Sequence, residues 1–124
     1  FQVIGTPLSK DTPYEFIPIK MPGATNPKHK GERCFGFDLT TYSDSILEKK
    51  ALDFSWILRM YQLYPNKESF FLANNFFNLL AGNESIMQAI KENKTESEIK
   101  ASYQKDLNQY KQIRKKYLLY TDFE

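Results

Sequence analysis

Valine, cysteine and histidine each occur once in this chain of 124 residues, as Val3, Cys34 and His29. A lone cysteine excludes an internal disulfide, and one cysteine with one histidine leaves too few ligands for a typical zinc site. The scarcity of valine argues against a large sheet, because β-branched residues favour strands. A chain of this length needs neither disulfide nor metal, since it can bury about two-thirds of the surface that its unfolded form exposes.

Long apolar runs and net charge are also scarce. No run approaches the roughly 20 apolar residues of a bilayer span, so we expect no membrane span. Seventeen basic and fifteen acidic residues leave a formal charge of +2, which is too small to indicate a nucleic-acid partner. The chain begins directly in strand-like residues at Phe1, without a methionine or a signal-peptide pattern. We therefore expect a fragment whose N-terminal part is missing.

The first third of the chain predicts three short strands, at residues 1–5, Tyr14–Lys20 and Cys34–Leu39. Pro18 cannot donate a backbone hydrogen bond, so the second strand is expected at a sheet edge. In the third strand, apolar side chains alternate with smaller or polar ones. The apolar set is Phe35, Phe37 and Leu39, and the other set is Cys34, Gly36 and Asp38.

From about residue 44 the apolar residues follow the helical period. The predicted helices include one that begins at an Asp53 cap and ends before Pro65, then Glu68–Leu80, Glu84–Lys91, and a long one from Glu96. Thr95 and Glu98 have the spacing of a capping box. The apolar stripe of the long helix is predicted to be core: Ile99, Tyr103, Leu107, Tyr110, Ile113 and Tyr117.

These patterns predict one α+β domain over residues 1–124. A small, mostly antiparallel sheet from the N-terminal third packs with four to five helices from the C-terminal two-thirds.

A polar, turn-rich loop precedes the third strand and contains the candidate binding residues. Loops held by a scaffold often carry binding groups, and amide and cationic side chains can bind carboxylates and hydroxyls. The candidates are Asn26, Lys28, His29, Lys30 and Arg33. The alternative interpretation is structural: Asn26 caps the turn before Pro27, and the lysines are merely solvated.

No catalytic centre can be assigned from motifs, because phosphate-binding and nucleophile-elbow patterns are absent. Among the acids we consider only Glu32 and Asp38, for which an ion pair with Arg33 or a lysine is the alternative. Cys34 is predicted to be a small buried residue, because a free cysteine behaves as a small hydrophobe. A catalytic thiol would need an activating base, and we do not expect His29 to act as one, since it lies five positions away across Gly31. We therefore predict no catalytic residue, metal or cofactor in this chain.

Five segments spread over the chain carry a resemblance to a known family. They are Phe1–Pro7, Pro22–Leu39 with the pattern PGAxNPxxxGxxCxGxDL, Tyr61–Pro65, Phe77–Gly82 and Ile113–Tyr120. Together they resemble the C-terminal domain of bacterial exo-β-N-acetylmuramidases, a family long described only as a domain of unknown function.

The resemblance implies a two-part glycoside hydrolase of peptidoglycan turnover, which releases terminal N-acetylmuramic acid. An N-terminal Rossmann-like domain would supply the catalytic groups, and this domain would close the cleft beside it. Asn26, Lys28, His29 and Arg33 would then bind peptidoglycan fragments, and the protein would act in the periplasm or outside the cell. Two alternatives remain open: a stand-alone glycan- or partner-binding module, and a structural domain that stabilises its neighbour.

Overall fold

A three-stranded antiparallel sheet occupies the first third of the chain. The computed structural model describes residues 2–49 and 51–121, so Phe1, assigned above to the first strand, lies outside the described residues. The strands are β1 (Val3–Thr6), β2 (Tyr14–Phe16) and β3 (Cys34–Asp38), and β3 lies between the other two. Both neighbours pair with β3 in the antiparallel sense. The predicted sheet is thus confirmed.

The second strand is shorter than predicted. It ends at Phe16 instead of Lys20, because Pro18 has no N–H to donate to a ladder. β2 pairs with β3 alone and therefore forms an edge of the sheet, as expected.

Five helices and two short 3-10 turns follow the sheet, which confirms the α+β class. The helices are α1 (Ser43–Lys49), α2 (Ser55–Leu63), α3 (Phe76–Ala81), α4 (Ser85–Lys91) and α5 (Glu96–Arg114). The 3-10 turns are Lys67–Ser69 and Lys115–Tyr117. Within the described ranges, no helix combines the length and apolarity that crossing a membrane requires.

The capping box predicted at the start of α5 is present. The Thr95 hydroxyl accepts from the Glu98 N–H at 3.3 Å, and the Glu98 carboxylate accepts from the Thr95 N–H at 2.8 Å, which completes the capping box. The Asp53 carboxylate accepts from the Ser55 N–H at 2.8 Å, but the N-cap of α2 is Phe54, one position later than predicted. Gly82 has the left-handed backbone of a helix C-terminus, with φ of 78°.

The predicted helix Glu68–Leu80 is wrong. The chain instead forms the 3-10 turn Lys67–Ser69, and α3 begins only at Phe76. Asn75 has a φ of 57°, a left-handed backbone that cannot continue a right-handed helix. The side chains of Ala73, Phe76 and Leu80, which lie within the predicted range, are exposed.

The buried core lies among α2, α4 and α5. Its centre is formed by Tyr61, Ile86, Ala89, Ile90 and Ile99. Aromatic rings surround this centre, and Phe70 meets the Tyr61 ring edge-on with the centroids 5.2 Å apart. The sheet joins the helices through Phe37, whose ring lies 5.3 Å from that of Trp56. Phe37 is buried, as its position in the alternating strand predicted.

The predicted core stripe of α5 is only partly buried. The helix runs without interruption to Arg114. Ile99 is fully buried and Tyr103 packs against the core, but the last three members of the stripe are exposed. The surface formed by Tyr110 and Ile113 of α5 and by Tyr117 of the 3-10 turn that follows is called the distal face of α5.

Candidate functional site

A groove of about 710 Å³ runs between the sheet and α2. We call it the β1–α2 groove. One wall comes from β1 and the residues after it, Pro7 and Leu8. The opposite wall comes from the α2 region, with Met60, Tyr64, Ser69, Phe70 and Leu72. The polar loop before β3 closes one rim through Pro27, Lys28, His29 and Glu32.

Backbone hydrogen bonds hold this loop in place. The Gly31 N–H donates to the Pro18 carbonyl oxygen at 2.9 Å, and the Glu32 N–H donates to the His29 carbonyl oxygen at 3.0 Å. His29 and Gly31 both have left-handed backbones, with φ of 59° and 79°. Because a side chain disfavours that region, Gly31 is well suited to the turn. The loop therefore presents Lys28 and His29 to the groove from a defined backbone.

The structure separates the four residues that the resemblance assigns to peptidoglycan binding into two pairs. Lys28 and His29 line the β1–α2 groove, and Asn26 and Arg33 are not among its lining residues. The Arg33 guanidinium lies 3.5 Å from the Glu15 carboxylate on β2, and both side chains are exposed. Asn26 is exposed as well. The role of all four in binding stays a prediction.

The groove rim carries one ammonium group without an ionic partner in residues 2–49 and 51–121, that of Lys28. His29 Nδ1 lies 3.6 Å from Glu32 Oε1, and this contact becomes an ion pair only when the imidazole is protonated. Most of the other lining residues are apolar, Phe16 and Pro18 among them. An apolar groove with a cation at its rim suits a ligand that combines apolar surface with an anionic group.

The Cys34 thiol is a buried part of the sheet. Burial, and secondarily the negative charge of Glu32, raises the pKa of Cys34 above its usual range. A thiol with a raised pKa is protonated at neutral pH, and the thiolate is the nucleophilic form. The predicted burial of Cys34 is confirmed.

The two carboxylates considered for catalysis have local partners other than those expected. Asp38 accepts from the Thr40 N–H at 2.9 Å and from its hydroxyl at 2.7 Å. These bonds lower the pKa of Asp38 and fix the turn after β3. Glu32 faces His29, so neither acid pairs with Arg33. Across the described part of the chain, no three His, Cys, Asp or Glu side chains come together as a metal site.

The helical wall of the groove was not predicted. The lining residues opposite β1 include Met60, Tyr64 and Phe70, which lie more than fifty positions further along the chain. A local sequence pattern cannot predict that such distant residues line the same groove. Tyr64 belongs to the Tyr61–Pro65 segment that carries the family resemblance, which was the one available signal.

The structure is an α+β domain with a groove beside the polar loop, and its described residues hold no recognisable catalytic constellation. Residues 1–120 match the family described as "Exo-beta-N-acetylmuramidase NamZ, C-terminal". The chain belongs to this family, and the predicted resemblance is confirmed.

Two relatives place the chain within longer proteins. It is 35% identical over 132 residues to the peptidoglycan beta-N-acetylmuramidase NamZ of Bacillus subtilis (strain 168), an alignment that covers 97% of this chain and 31% of that protein. A crystal structure of a DUF1343 family protein from Bacteroides fragilis NCTC 9343 matches with a TM-score of 0.87 and 35% identity. That match covers 98% of this chain and 34% of the other. The chain thus spans about a third of the length of these relatives.

Proposed function

We propose that this chain forms one wall of the substrate cleft of a peptidoglycan exo-β-N-acetylmuramidase. In this proposal a preceding Rossmann-like domain carries the catalytic groups, and this chain alone is inactive. Membership of the C-terminal family and the name of the Bacillus subtilis relative support the proposal. An enzyme of cell-wall turnover would act in the periplasm or outside the cell, so we propose that location as well.

The observation that carries the proposal is the ammonium group of Lys28 at the rim of an apolar groove. N-acetylmuramic acid carries a lactyl carboxylate next to apolar methyl groups. A carboxylate bound by Lys28 would form a charge-assisted hydrogen bond, while the methyl groups and the ring faces would contact the apolar lining residues. The partly buried imidazole of His29 adds a second polar contact beside Lys28.

Asn26 and Arg33 lie on the same loop but outside the groove. We propose that they contact the parts of a peptidoglycan fragment that extend beyond it. Because Arg33 already lies close to Glu15, its contribution would be smaller than that of Lys28.

The role of Lys28 can be tested by steady-state kinetics of the complete protein with a chromogenic muramide. Hydrogen bonds to charged groups contribute about 1.5–3 kcal/mol, so Lys28→Ala should raise KM roughly 10- to 100-fold. Lys28→Arg should retain most of the affinity, because it keeps the charge. Lys30→Ala is the matched control, since Lys30 is exposed on the same loop and does not line the groove. An unchanged KM in Lys28→Ala would contradict the proposal that the substrate binds in this groove.

The apolar lining residues also favour a second candidate, a non-catalytic module that binds a glycan or a protein partner in the same groove. Calorimetric titration of the complete protein with muropeptides separates the two. Lys28-dependent binding in a protein that releases no N-acetylmuramic acid would support the module and contradict the hydrolase.

A further inference from the structure

The distal face of α5 is a continuation of a core surface. Successive α-helical residues are rotated by about 100°, which brings Tyr110 and Ile113 to the same side of α5 as Ile99. Tyr117 ends the 3-10 turn Lys115–Tyr117, which continues directly from the helix. Ile99 is fully buried, whereas the three side chains of the distal face are, in chain order, 59%, 55% and 77% exposed. One helix face is therefore packed at its N-terminal end and uncovered at its C-terminal end.

The accessible surface area of the chain is larger than that of a compact monomer of the same mass. Its accessible area is 9770 Å². A compact monomer of 14.6 kDa would expose about 6,900 Å². Fully burying one Tyr removes about 150–250 Å² from water, so the two exposed tyrosines of the distal face contribute on the order of 300 Å². With Ile113 added, the distal face is within the size range of the apolar patches that mark interaction sites on monomers.

We propose that the distal face of α5 packs against the preceding domain of the same polypeptide. This inference rests on the two-part protein of the proposed function. The relatives that this chain matches have about twice its length in addition to the matched part. Interfaces between domains of one chain bury about 600–1,500 Å², and the distal face supplies an apolar centre for such an interface.

The charge beside the distal face argues against a second copy as the occupant. Residues 105–116 contain five basic residues and one acidic residue. A two-fold contact between identical faces would bring these basic flanks together, and like charges across an interface oppose association. The surface of a different domain can carry acidic groups opposite these basic residues. We therefore expect an apolar patch with an acidic rim on the preceding domain.

Hydroxyl-radical footprinting of the complete protein, read by mass spectrometry, tests this docking. Tyr14 is the internal reference, because it is 36% exposed and lies on β2. If the distal face is docked, Tyr110 and Tyr117 oxidise more slowly than Tyr14. The variant Ile113→Glu should restore fast oxidation at both tyrosines. Gln112→Glu is the matched control, since Gln112 is exposed on the opposite side of α5 and its substitution should leave the protection intact.

Two results would overturn the docking proposal. The first is faster oxidation of Tyr110 and Tyr117 than of Tyr14 in the unmodified complete protein. The second is protection that disappears on dilution together with a dimer mass in light scattering, which would identify a second copy as the occupant. The footprint does not depend on activity. Protected tyrosines in a protein without muramidase activity would sustain the docking and contradict only the proposed function.

Discussion

The Asp53 carboxylate ties the segment after α1 to the start of α2. Its side chain is 8% exposed and accepts from Lys49 Nζ at 2.5 Å, from the Tyr42 hydroxyl at 3.0 Å and from the Ser55 N–H at 2.8 Å. Burial disfavours the charged form, but the hydrogen bonds from Lys49, Ser55 and Tyr42 outweigh it and lower the pKa of Asp53 well below its usual range. A carboxylate chosen from the sequence as a helix cap thus organises a larger polar cluster.

Replacing Asp53 by Asn should lower the free energy of unfolding by about 1–3 kcal/mol at pH 7, because the donors around Asp53, which include the Ser55 hydroxyl, lose a charged acceptor. The folded state binds its proton less readily than the unfolded state, whose Asp pKa is about 3.9. The stabilisation is therefore complete above that value and is lost as the pH falls below it. Urea unfolding between neutral and acid pH should show a weaker pH dependence in Asp53→Asn.

The control for this experiment is Asp106→Asn, which alters an exposed carboxylate on α5. It should shift the free energy of unfolding by no more than about 0.5 kcal/mol. Equal stability of Asp53→Asn and the parent chain at every pH would contradict the structural role of Asp53.

Among the elements, the sheet depends on two glycines that face each other. Gly5 pairs with Gly36 in the β1–β3 register. A Cβ at Gly36 would lie 1.9 Å from the Ile4 carbonyl oxygen, and a Cβ at Gly5 would lie 2.4 Å from that of Phe35. Both contacts involve backbone, so neither can be relieved by a side-chain rotation. The space beside Gly36 is filled by the backbone of the neighbouring strand β1.

Gly36→Ala should therefore destabilise the chain by about 3 kcal/mol or more, since overpacking against backbone forces the strands apart. Gly23→Ala is the control, because Gly23 has a left-handed backbone but nothing within 4 Å of its Cβ position. It should cost only about 1–2 kcal/mol, the penalty of that backbone region. Urea unfolding measures both, and a smaller effect at Gly36 than at Gly23 would contradict the close approach of β1 and β3.

The strands and helices also show which parts of the secondary structure local sequence signals can predict. Alternation, helical period and capping residues correctly placed β3, α4 and the start of α5, because each signal lies within a few residues. The predicted helix Glu68–Leu80 failed where Asn74 accepts from the Phe76 N–H and Asn75 turns left-handed. Side-chain bonding of this kind competes with helix formation, and periodicity alone does not register it.

At the scale of the molecule, the sequence indicated the loop that borders the β1–α2 groove but not the rest of the groove lining. Lys28 and His29 line the groove, yet its opposite wall comes from α2 and Phe70, which only the tertiary fold brings near. The apolar stripe of α5 was read as core because its spacing is helical. Helical spacing shows which residues share the apolar face of a helix, but it does not show what packs against that face. The distal face of α5 is apolar by spacing and is nevertheless exposed.

The central claim is that this chain serves a muramidase whose catalytic groups lie in another domain. The most direct measurement compares the complete protein with this chain alone, shown to be folded by circular dichroism, for release of N-acetylmuramic acid from a chromogenic muramide. We predict release by the complete protein and none by the isolated chain. An inactive complete protein, or equal activity in the isolated chain, would contradict the claim.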